Sequence, residues 1–470
     1  MIDARYRNTA LLVAGCYFME MLDGTIVTTA SPQIGRSLGA PAAEIGLVVT
    51  AYLLTLAVLI PLSGWLARRF GNRVIFLTAI AVFTLASIGC ASSVSLGELV
   101  AMRVLQGAGG AMMVPVGRMM VVSRAAKEDL LRVTSYVVWP ALLAPVIAPL
   151  AGGLITTYAS WHWLFLINVP LGVVAFCVAW RLVTDGPDAS AAPRPLDWAG
   201  VALTCFGLGG LTYGAHLASL PSPPVLLTVV FLTLSAVLLA GAVWHLRHTA
   251  FPLLNLRTLA MPTFRLTQGA GTAYWFVCGA VPFLLPLLFQ TQFGWSPVKS
   301  GAVTAFVFVG NVGIKPATTP LINRFGFRTV LLAATSGTAI VIAALGFITA
   351  GTPVPVIALL TLISGVTRSV GFTVYNTVGL ADMPRELMRD ANTLAATCTQ
   401  LGAGLAIAIA TVALRVGGVA GSGTAPFTVA FGLLALIAAA AAAATLRMNR
   451  TAGDAARRSR APAPATAARD

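Results

Sequence analysis

The sequence predicts an all-α membrane protein that crosses the bilayer fourteen times, as two six-helix bundles with two further helices inserted between them. Three observations support this prediction: the composition, the number of long apolar stretches and a motif that occurs twice. The chain is 57% hydrophobic and 10% charged, with a mean hydropathy of +0.87, whereas soluble domains carry about 25% charged residues. The composition therefore excludes an ordinary soluble protein.

A helix that crosses the hydrocarbon core needs about 20 predominantly apolar residues. Stretches of this kind, named spans 1 to 14, begin near residues 8, 45, 74, 97, 132, 162, 197, 223, 266, 300, 328, 354, 394 and 424. Because the number of spans is even, we expect both termini on the same side of the membrane.

The basic residues predict which side that is. Most of the 30 Lys and Arg residues lie in the C-terminal tail or at span ends on the side of the termini; three lie on the opposite side (Arg36, Lys299, Arg415) and three within spans (Arg103, Lys315, Arg368). Cytoplasmic loops are enriched in Lys and Arg, so both termini are predicted to be cytoplasmic. Topology thus accounts for the net charge of +15, and we expect no nucleic-acid partner.

A short motif occurs twice at equivalent places. LARRFGNRVIFL (66–77) follows span 2, LINRFGFRTVLL (321–332) follows span 10, and six of their twelve positions are identical. The match predicts a duplicated six-helix unit with the substrate site between the two copies, near the bilayer midplane. The predicted domains are an N-terminal bundle (1–185), two inserted helices (186–250), a C-terminal bundle (251–447) and a disordered basic tail (448–470).

Several further motifs lie on the expected spans. They are LDGTIVTTASP (22–32), GWLARRFGNR (64–73), RVLQGAGGAMMVPVGR (103–118), APVIAPLAGG (144–153), WHWLFLINVPLG (161–172) and LDWAG (196–200). Together and in this order they resemble the major facilitator superfamily, in its fourteen-helix drug:proton antiporter branch. Within that branch they are similar to the MdtD-like group of exporters, and the resemblance covers about residues 8–447.

The resemblance implies the major facilitator fold and export of small molecules in exchange for protons by alternating access. It also implies a monomer in the cytoplasmic (inner) membrane of the cell, driven by the proton gradient and needing no cofactor. The motif residues that it implies in conformational change are Gly64, Arg69, Gly71, Arg73, Gly107, Arg118, Pro145, Pro149, Gly152 and Gly153.

The chain departs from the family pattern in two motifs. Arg68 stands where the first loop motif normally carries an acid, and Asn323 stands there in the second copy. The family's ion pair from that position is therefore in doubt. Ala144 and Ala148 replace glycines of the span 5 motif, but alanine is small enough for close helix packing.

Two acids lie three positions apart on roughly one face of span 1, near the bilayer centre: Glu20 and Asp23. A charged side chain at this depth costs at least about 2.5–3.5 kcal/mol, and two neighbouring carboxylates do not both ionise cheaply. We predict a proton-carrying site at Asp23, which matches the family's span 1 acid, shared with Glu20. The structural alternatives are that Asp23 caps a helix break at Gly24 or forms an ion pair with Arg103.

Three bases also lie within spans. The resemblance implies that Arg103 assists proton transfer, and the alternative is that its side chain extends outward to the membrane surface. Lys315 and Arg368 could bind an anionic, zwitterionic or chelated substrate, or serve structural roles. The other polar and aromatic residues predicted to line a substrate cavity are Tyr52, Gln106, Trp139, Trp275, Asn311, Tyr375 and Asn376.

The leading interpretation is a proton-coupled exporter, and its partners are a small-molecule substrate, protons and the lipid bilayer. Within transport, the alternatives are an exporter of organic anions or metal chelates such as iron-citrate, and a lipid or facilitated transporter without proton coupling. A membrane enzyme or receptor is the alternative from another class. The six cysteines and four histidines show neither CxxC nor HExxH spacing, so we expect no metal site and no catalytic centre.

Overall fold

The computed structural model describes residues 4–41, 44–123, 130–183, 195–220, 223–381, 383–384, 387–421 and 423–448. Within these ranges every regular element is helical, as predicted. The predicted tail and the side chain of Trp139 lie outside the described part of the chain.

The N-terminal half consists of seven helices. They are α1 (Ala4–Leu38), α2 (Gly46–Phe70), α3 (Asn72–Ser92), α4 (Leu96–Ser123), α5 (Leu130–Tyr158), α6 (Trp163–Leu166) and α7 (Asn168–Leu182). The last two occupy predicted span 6, which is interrupted at Ile167. Two helices follow as the inserted pair, α8 (Trp198–Ser219) and α9 (Val225–His248).

The C-terminal half follows a short 3-10 helix (Leu256–Ala260). It contains α10 (Pro262–Thr291), α11 (Pro297–Gly313), α12 (Lys315–Phe325), α13 (Phe327–Leu345), α14 (Val354–Ala381), α15 (Met388–Ala420) and α16 (Ala425–Leu446). Helices α11 and α12 occupy predicted span 10 but meet at an angle of 51°. Pro316 follows the break, where its ring and missing N–H interrupt the helical hydrogen bonds.

Twelve helices of the described chain are long and apolar enough to cross a membrane, or thirteen when the bent α11–α12 pair counts as one span. The described apolar part of α5 is the shorter segment Leu143–Tyr158. The all-helical membrane fold is therefore confirmed, while the count of fourteen spans, the domain boundaries and the cytoplasmic termini stay predictions.

The two copies of the repeated motif form the same local structure. Gly71 and Gly326 each separate two helices, with φ of 87° and 80°, a conformation that favours glycine. Arg73 Nη2 donates to the Trp180 carbonyl at the end of α7 (3.0 Å), and Arg328 Nη2 donates to the Leu446 carbonyl at the end of α16 (2.8 Å). Each arginine thus ties its loop to the last helix of its own half, as duplication predicts.

Among the described residues, the largest apolar cluster that the two halves share lies at one end of the molecule. We call the end that carries Gly71 and Gly326 the loop end, and the opposite end the outer end. One apolar cluster at the outer end combines residues of α1, α2 and α5 with residues of α10, α11 and α15. At the loop end each half has a cluster of its own. The described parts of the two halves therefore pack together most extensively at the outer end.

Small residues let the two halves approach closely at the outer end. A Cβ on Gly153 of α5 would overlap the Pro297 carbonyl of α11, and a Cβ on Gly301 of α11 would overlap the Pro149 carbonyl of α5. Nearby, Gln290 Nε2 of α10 donates to the Thr29 carbonyl of α1 (2.8 Å). The APVIAPLAGG motif of α5 therefore lies at the contact between the two halves, which we call the seam. At the seam the backbones of α5 and α11 approach each other closely.

We predict that Gly153→Ala opens this seam. Overpacking at a tight contact costs about 1–3 kcal/mol, which corresponds to a shift of roughly 5- to 150-fold in the equilibrium between two states. The readout is labelling of a cysteine placed at buried Ser300 on α11 by a membrane-impermeant maleimide, in a background without native cysteines. We expect labelling from the outer side to increase.

The matched control is Gly432→Ala, because a Cβ at Gly432 has no atom within 4 Å. This variant should label like the parent. Equal labelling of Gly153→Ala and its parent would contradict the assignment of the α5–α11 contact as the outer closure.

Candidate functional site

The two acids of span 1 lie halfway along α1, and both are buried, with 4% of Glu20 and 1% of Asp23 exposed. Along α1, the loop-end cluster of the N-terminal half reaches Met19 and the shared outer cluster begins at Leu22. The acids therefore lie at the level where the two halves part.

Asp23 is held by three side-chain donors. Arg103 Nη1 donates to its Oδ2, while Gln106 Nε2 (3.0 Å) and Asn168 Nδ2 (2.8 Å) donate to its Oδ1. The three donors come from α4 and α7, and none of them is exposed. Charge-assisted hydrogen bonds of this kind are the strong ones, so Asp23 joins α1 to α4 and α7 as a carboxylate.

Arg103 is held through its Nε and Nη1 atoms, whereas its buried Nη2 has no hydrogen-bond partner among the described residues. Its Nε donates to the Val48 carbonyl (3.3 Å), its Nη1 donates to Gln106 Oε1 (2.8 Å), and its guanidinium lies 4.3 Å from the Tyr52 ring centre and 5.6 Å from that of Phe165. The side chain is fully buried, so it does not extend to the membrane surface. The ion-pair alternative from the sequence is the geometry that the structure shows.

The amide of Gln106 continues the network into α3. Its Nε2 also donates to Ser87 Oγ (2.8 Å), and the Cys90 thiol donates to its Oε1 (3.7 Å). Gln106 and Tyr52 were expected to line a substrate cavity. In the structure both are fully buried around the Asp23–Arg103 pair.

Glu20 has a different environment. Its Oε2 atom is buried and has no hydrogen-bond partner among the described residues, and the same holds for the Tyr52 hydroxyl. Both groups face Gly110 of α4, where a Cβ would lie 3.3 Å from the Tyr52 hydroxyl and 3.8 Å from Glu20 Cγ. Buried polar atoms are nearly always hydrogen-bonded, so two unpartnered ones near each other are exceptional.

The remaining motif residues take three kinds of position. Gly107 lets α4 approach the Tyr52 carbonyl of α2, and Gly152 lets α5 approach the Ile26 carbonyl of α1; a Cβ at either would lie 2.9 Å from that oxygen. Pro149 is buried like the two α5 glycines, and Pro145 is half-buried. Of the predicted residues at the loop end, Arg69 and Arg118 are exposed and Gly64 is half-buried.

The predicted substrate residues of the C-terminal half lie on α10, α11, α12 and α14. Trp275 packs edge-on against Phe372, with ring centres 4.2 Å apart, and Tyr375 is buried with its ring 5.6 Å from that of Tyr274. Asn376 Nδ2 donates to the carbonyl of Phe372, one turn earlier in α14 (3.0 Å). Asn311, Lys315 and Arg368 are half-buried.

Asn168 is the main functional residue that sequence reasoning missed. It begins α7 directly after the break at Ile167 and is completely buried. A signal was present, because Asn168 is a lone amide in the apolar segment LFLINVPLG, and polar residues inside spans tend to be functional.

The whole chain was compared with known families. The statistical description of the Major Facilitator Superfamily matches residues 13–407 and, in a second overlapping match, residues 269–469. The chain belongs to the major facilitator superfamily. The predicted family is therefore confirmed, and the protein is a multi-pass membrane transporter of small molecules.

Relatives within the superfamily carry one recurring name. The chain is 38% identical over 405 residues to a putative multidrug resistance protein MdtD of Cronobacter sakazakii, covering 85% of this chain and 84% of that protein. It is 36% identical over 411 residues to the protein of the same name from Klebsiella pneumoniae, covering 87% and 86%. The predicted resemblance to MdtD-like exporters is thus confirmed.

Solved major facilitator structures share the fold. A nucleoside transporter, NupG, aligns with a TM-score of 0.64 at 13% identity, covering 93% of this chain and 99% of that one. A D-xylose–proton symporter aligns with a TM-score of 0.64 at 15% identity, covering 92% and 96%. At these identities the likeness shows the fold alone.

We predict that Asp23→Asn destabilises the protein strongly, because it leaves the Arg103 charge buried without its partner. Removing one member of a buried ion pair costs about 3–5 kcal/mol. Thermal unfolding of the purified protein in detergent should show a lower midpoint for Asp23→Asn and a partial recovery in the double variant Asp23→Asn/Arg103→Gln.

Glu98→Gln is the control, because exposed Glu98 accepts only a local hydrogen bond from the Val94 backbone (2.9 Å). Its midpoint should stay near that of the parent. The opposite result would be a double variant that is less stable than Asp23→Asn by as much as Arg103→Gln alone destabilises the parent. That result would show that the two residues act independently.

Proposed function

We propose that the protein is a proton-coupled exporter of drug-like small molecules that works by alternating access. The observation that carries this proposal is Glu20, a buried carboxyl whose Oε2 has no partner in the described chain. An ionised carboxylate buried without a hydrogen bond or counter-charge is costly. The side chain is therefore suited to hold a proton in this state and to release it when the surroundings change.

The two acids, Glu20 and Asp23, have different roles because their contacts differ. Asp23 has three donors, including a guanidinium, so it is satisfied as a carboxylate in this conformation. A second negative charge three residues away on the same helix is disfavoured. We therefore assign the exchanging proton to Glu20 and a positioning role to Asp23, which differs from the sequence expectation that Asp23 is the main carrier.

Arg103 links the two acids to helix movement. Its bonds reach α1 at Asp23, α2 at the Val48 carbonyl and its own helix at Gln106. Helix α2 also packs against the C-terminal half, where Gly404 of α15 lies against Leu53. A movement of the halves that shifts α2 against α4 would change the position of this guanidinium and hence the electrostatic potential at Glu20. Such a state-dependent interaction is what couples proton uptake to a conformational equilibrium.

The exporter role rests on the kinship reported above. Relatives that match more than four-fifths of the chain are named multidrug resistance proteins, and a drug-like substrate is the corresponding proposal for this chain. Facilitated transport without proton coupling would leave Glu20 without a function.

We predict that Glu20→Gln uncouples transport from protons. In everted vesicles with an imposed pH gradient and a pH-sensitive dye, substrate addition should release protons in the wild type. The release should be at least tenfold smaller in Glu20→Gln, because an amide cannot carry the proton. Substrate–substrate exchange without a gradient should persist in this variant, since it needs no proton.

Glu98→Gln again serves as the control and should release protons like the wild type. Lipophilic cations and organic anions are tested in separate series, because the substrate charge is open at this point. Wild-type proton release from Glu20→Gln would place the coupling proton elsewhere and overturn the assignment.

A further inference from the structure

The C-terminal half contains charge of one sign only at membrane depth. From residue 198 to residue 381 the sequence has neither Asp nor Glu. Two bases lie well inside this stretch, Lys315 at the start of α12 and Arg368 in the middle of α14, and both are half-buried. Ionisable side chains at this depth cost free energy and are normally paired with an opposite charge. Because this stretch contains no acid, we look for a counter-charge from outside the chain.

The two bases meet at α14. Lys315 Nζ donates to Thr373 Oγ1 of α14 (3.2 Å) and lies 5.8 Å from the Phe372 ring centre. Thr373 follows Arg368 by little more than one turn of the same helix. The Arg368 guanidinium reaches back toward α11 and lies 5.6 Å from the Phe308 ring centre. Side chains from α12 and α14 thus place two positive charges beside one stretch of α14.

Unused donors remain on both bases. The Arg368 Nη1 atom is buried, and in the described part of the chain it has no hydrogen-bond partner. Lys315 uses one of the three protons of its ammonium group on Thr373. The first turn of α12 begins at Lys315, next to the break from α11, and the N-terminus of a helix adds positive potential. Donors without acceptors on two cationic side chains are the groups that an anion would bind.

Aromatic surface lies beside these donors. Phe372, one turn after Arg368 on α14, is 37% exposed, and its ring contacts that of Trp275 at 4.2 Å. An inorganic ion would leave this apolar surface uncovered, whereas an organic anion would cover it with its carbon skeleton. A carboxylate on such an anion matches the planar edge of an arginine and can also accept from an ammonium.

We propose that Lys315 and Arg368 bind the carboxylate of an organic anion, with the body of the anion against Phe372 and Trp275. This inference names the substrate class of the exporter and, as regards transport, rests on the proposed function. It assigns the two ligands of an antiport to different halves: the proton to Glu20 in the N-terminal half and the carboxylate to the C-terminal half.

The test is calorimetric titration of the purified full-length protein in detergent at low salt. The probes are salicylate and citrate as organic carboxylates, inorganic phosphate as a simple anion and tetraphenylphosphonium as a lipophilic cation. We expect at least one carboxylate to bind the wild type, with affinity at least tenfold lower in Arg368→Gln and in Lys315→Gln. Arg368→Lys should bind with intermediate affinity, because it keeps the charge but loses the planar fork.

Lys299→Gln is the matched control, because exposed Lys299 also lies over an aromatic ring, 4.1 Å from the centre of Trp295, but at the outer end. It should bind like the wild type. Monodispersity and the thermal midpoint of each variant verify folding. A variant that fails to fold is replaced by the wild type titrated at rising salt, where binding between charges must weaken.

Three results would overturn the inference: no binding of either carboxylate to the wild type, equal binding to the double variant Lys315→Gln/Arg368→Gln, or binding of phosphate alone. Calorimetry needs no pH gradient, so it separates this inference from the proposed function. Carboxylate binding without proton release would remove the proton coupling only. Proton release by tetraphenylphosphonium without carboxylate binding would remove the anion site only.

Discussion

The interaction between Asp23 and Arg103 is the one on which the arrangement of the N-terminal half depends. Both side chains are fully desolvated, and an ion pair in such an interior needs good geometry and further hydrogen bonds. The pair obtains such bonds from α2, α4 and α7, so its geometry requires those helices to meet α1 at one level. Arg103 Nη2 has no hydrogen-bond partner among the described residues. Gly107 and Gly109 make the required approach of α4 feasible, because a side chain at either would collide with the backbone of α2 or α3.

Other buried polar groups have fewer hydrogen bonds than this pair. Glu20 and the Tyr52 hydroxyl are neighbours of the pair but share none of its bonds, and in the other half Arg368 has a donor without an acceptor. The N-terminal half thus has an acid without a hydrogen-bond partner, and the C-terminal half has bases with unused donors. An exporter that exchanges a proton for an organic anion would use both, and each ligand would act on the half that must move relative to its partner.

Much of the fold was predictable because its signals are local. Apolar length gives the spans, and the repeated motif around Gly71 and Gly326 gives two related loops. The presence of two acids on one face of α1 follows from helix periodicity. The partners of those acids were not predictable, because they depend on how α4 and α7 are rotated against α1. Asn168 and the burial of Gln106 emerge only from that rotation, as does the closure of the outer end through Gly153 and Gly301.

Infrared difference spectroscopy between acidic and alkaline buffer would show which of the two acids carries the proton. A protonated carboxyl in a dry site has a carbonyl stretch separate from that of a carboxylate. We predict such a band in the wild type and its loss in Glu20→Gln. The band should remain in the double variant Asp23→Asn/Arg103→Gln, which removes both charges of the ion pair together. A band that persists in Glu20→Gln and disappears with Asp23 would contradict the assignment to Glu20 and return the proton to Asp23.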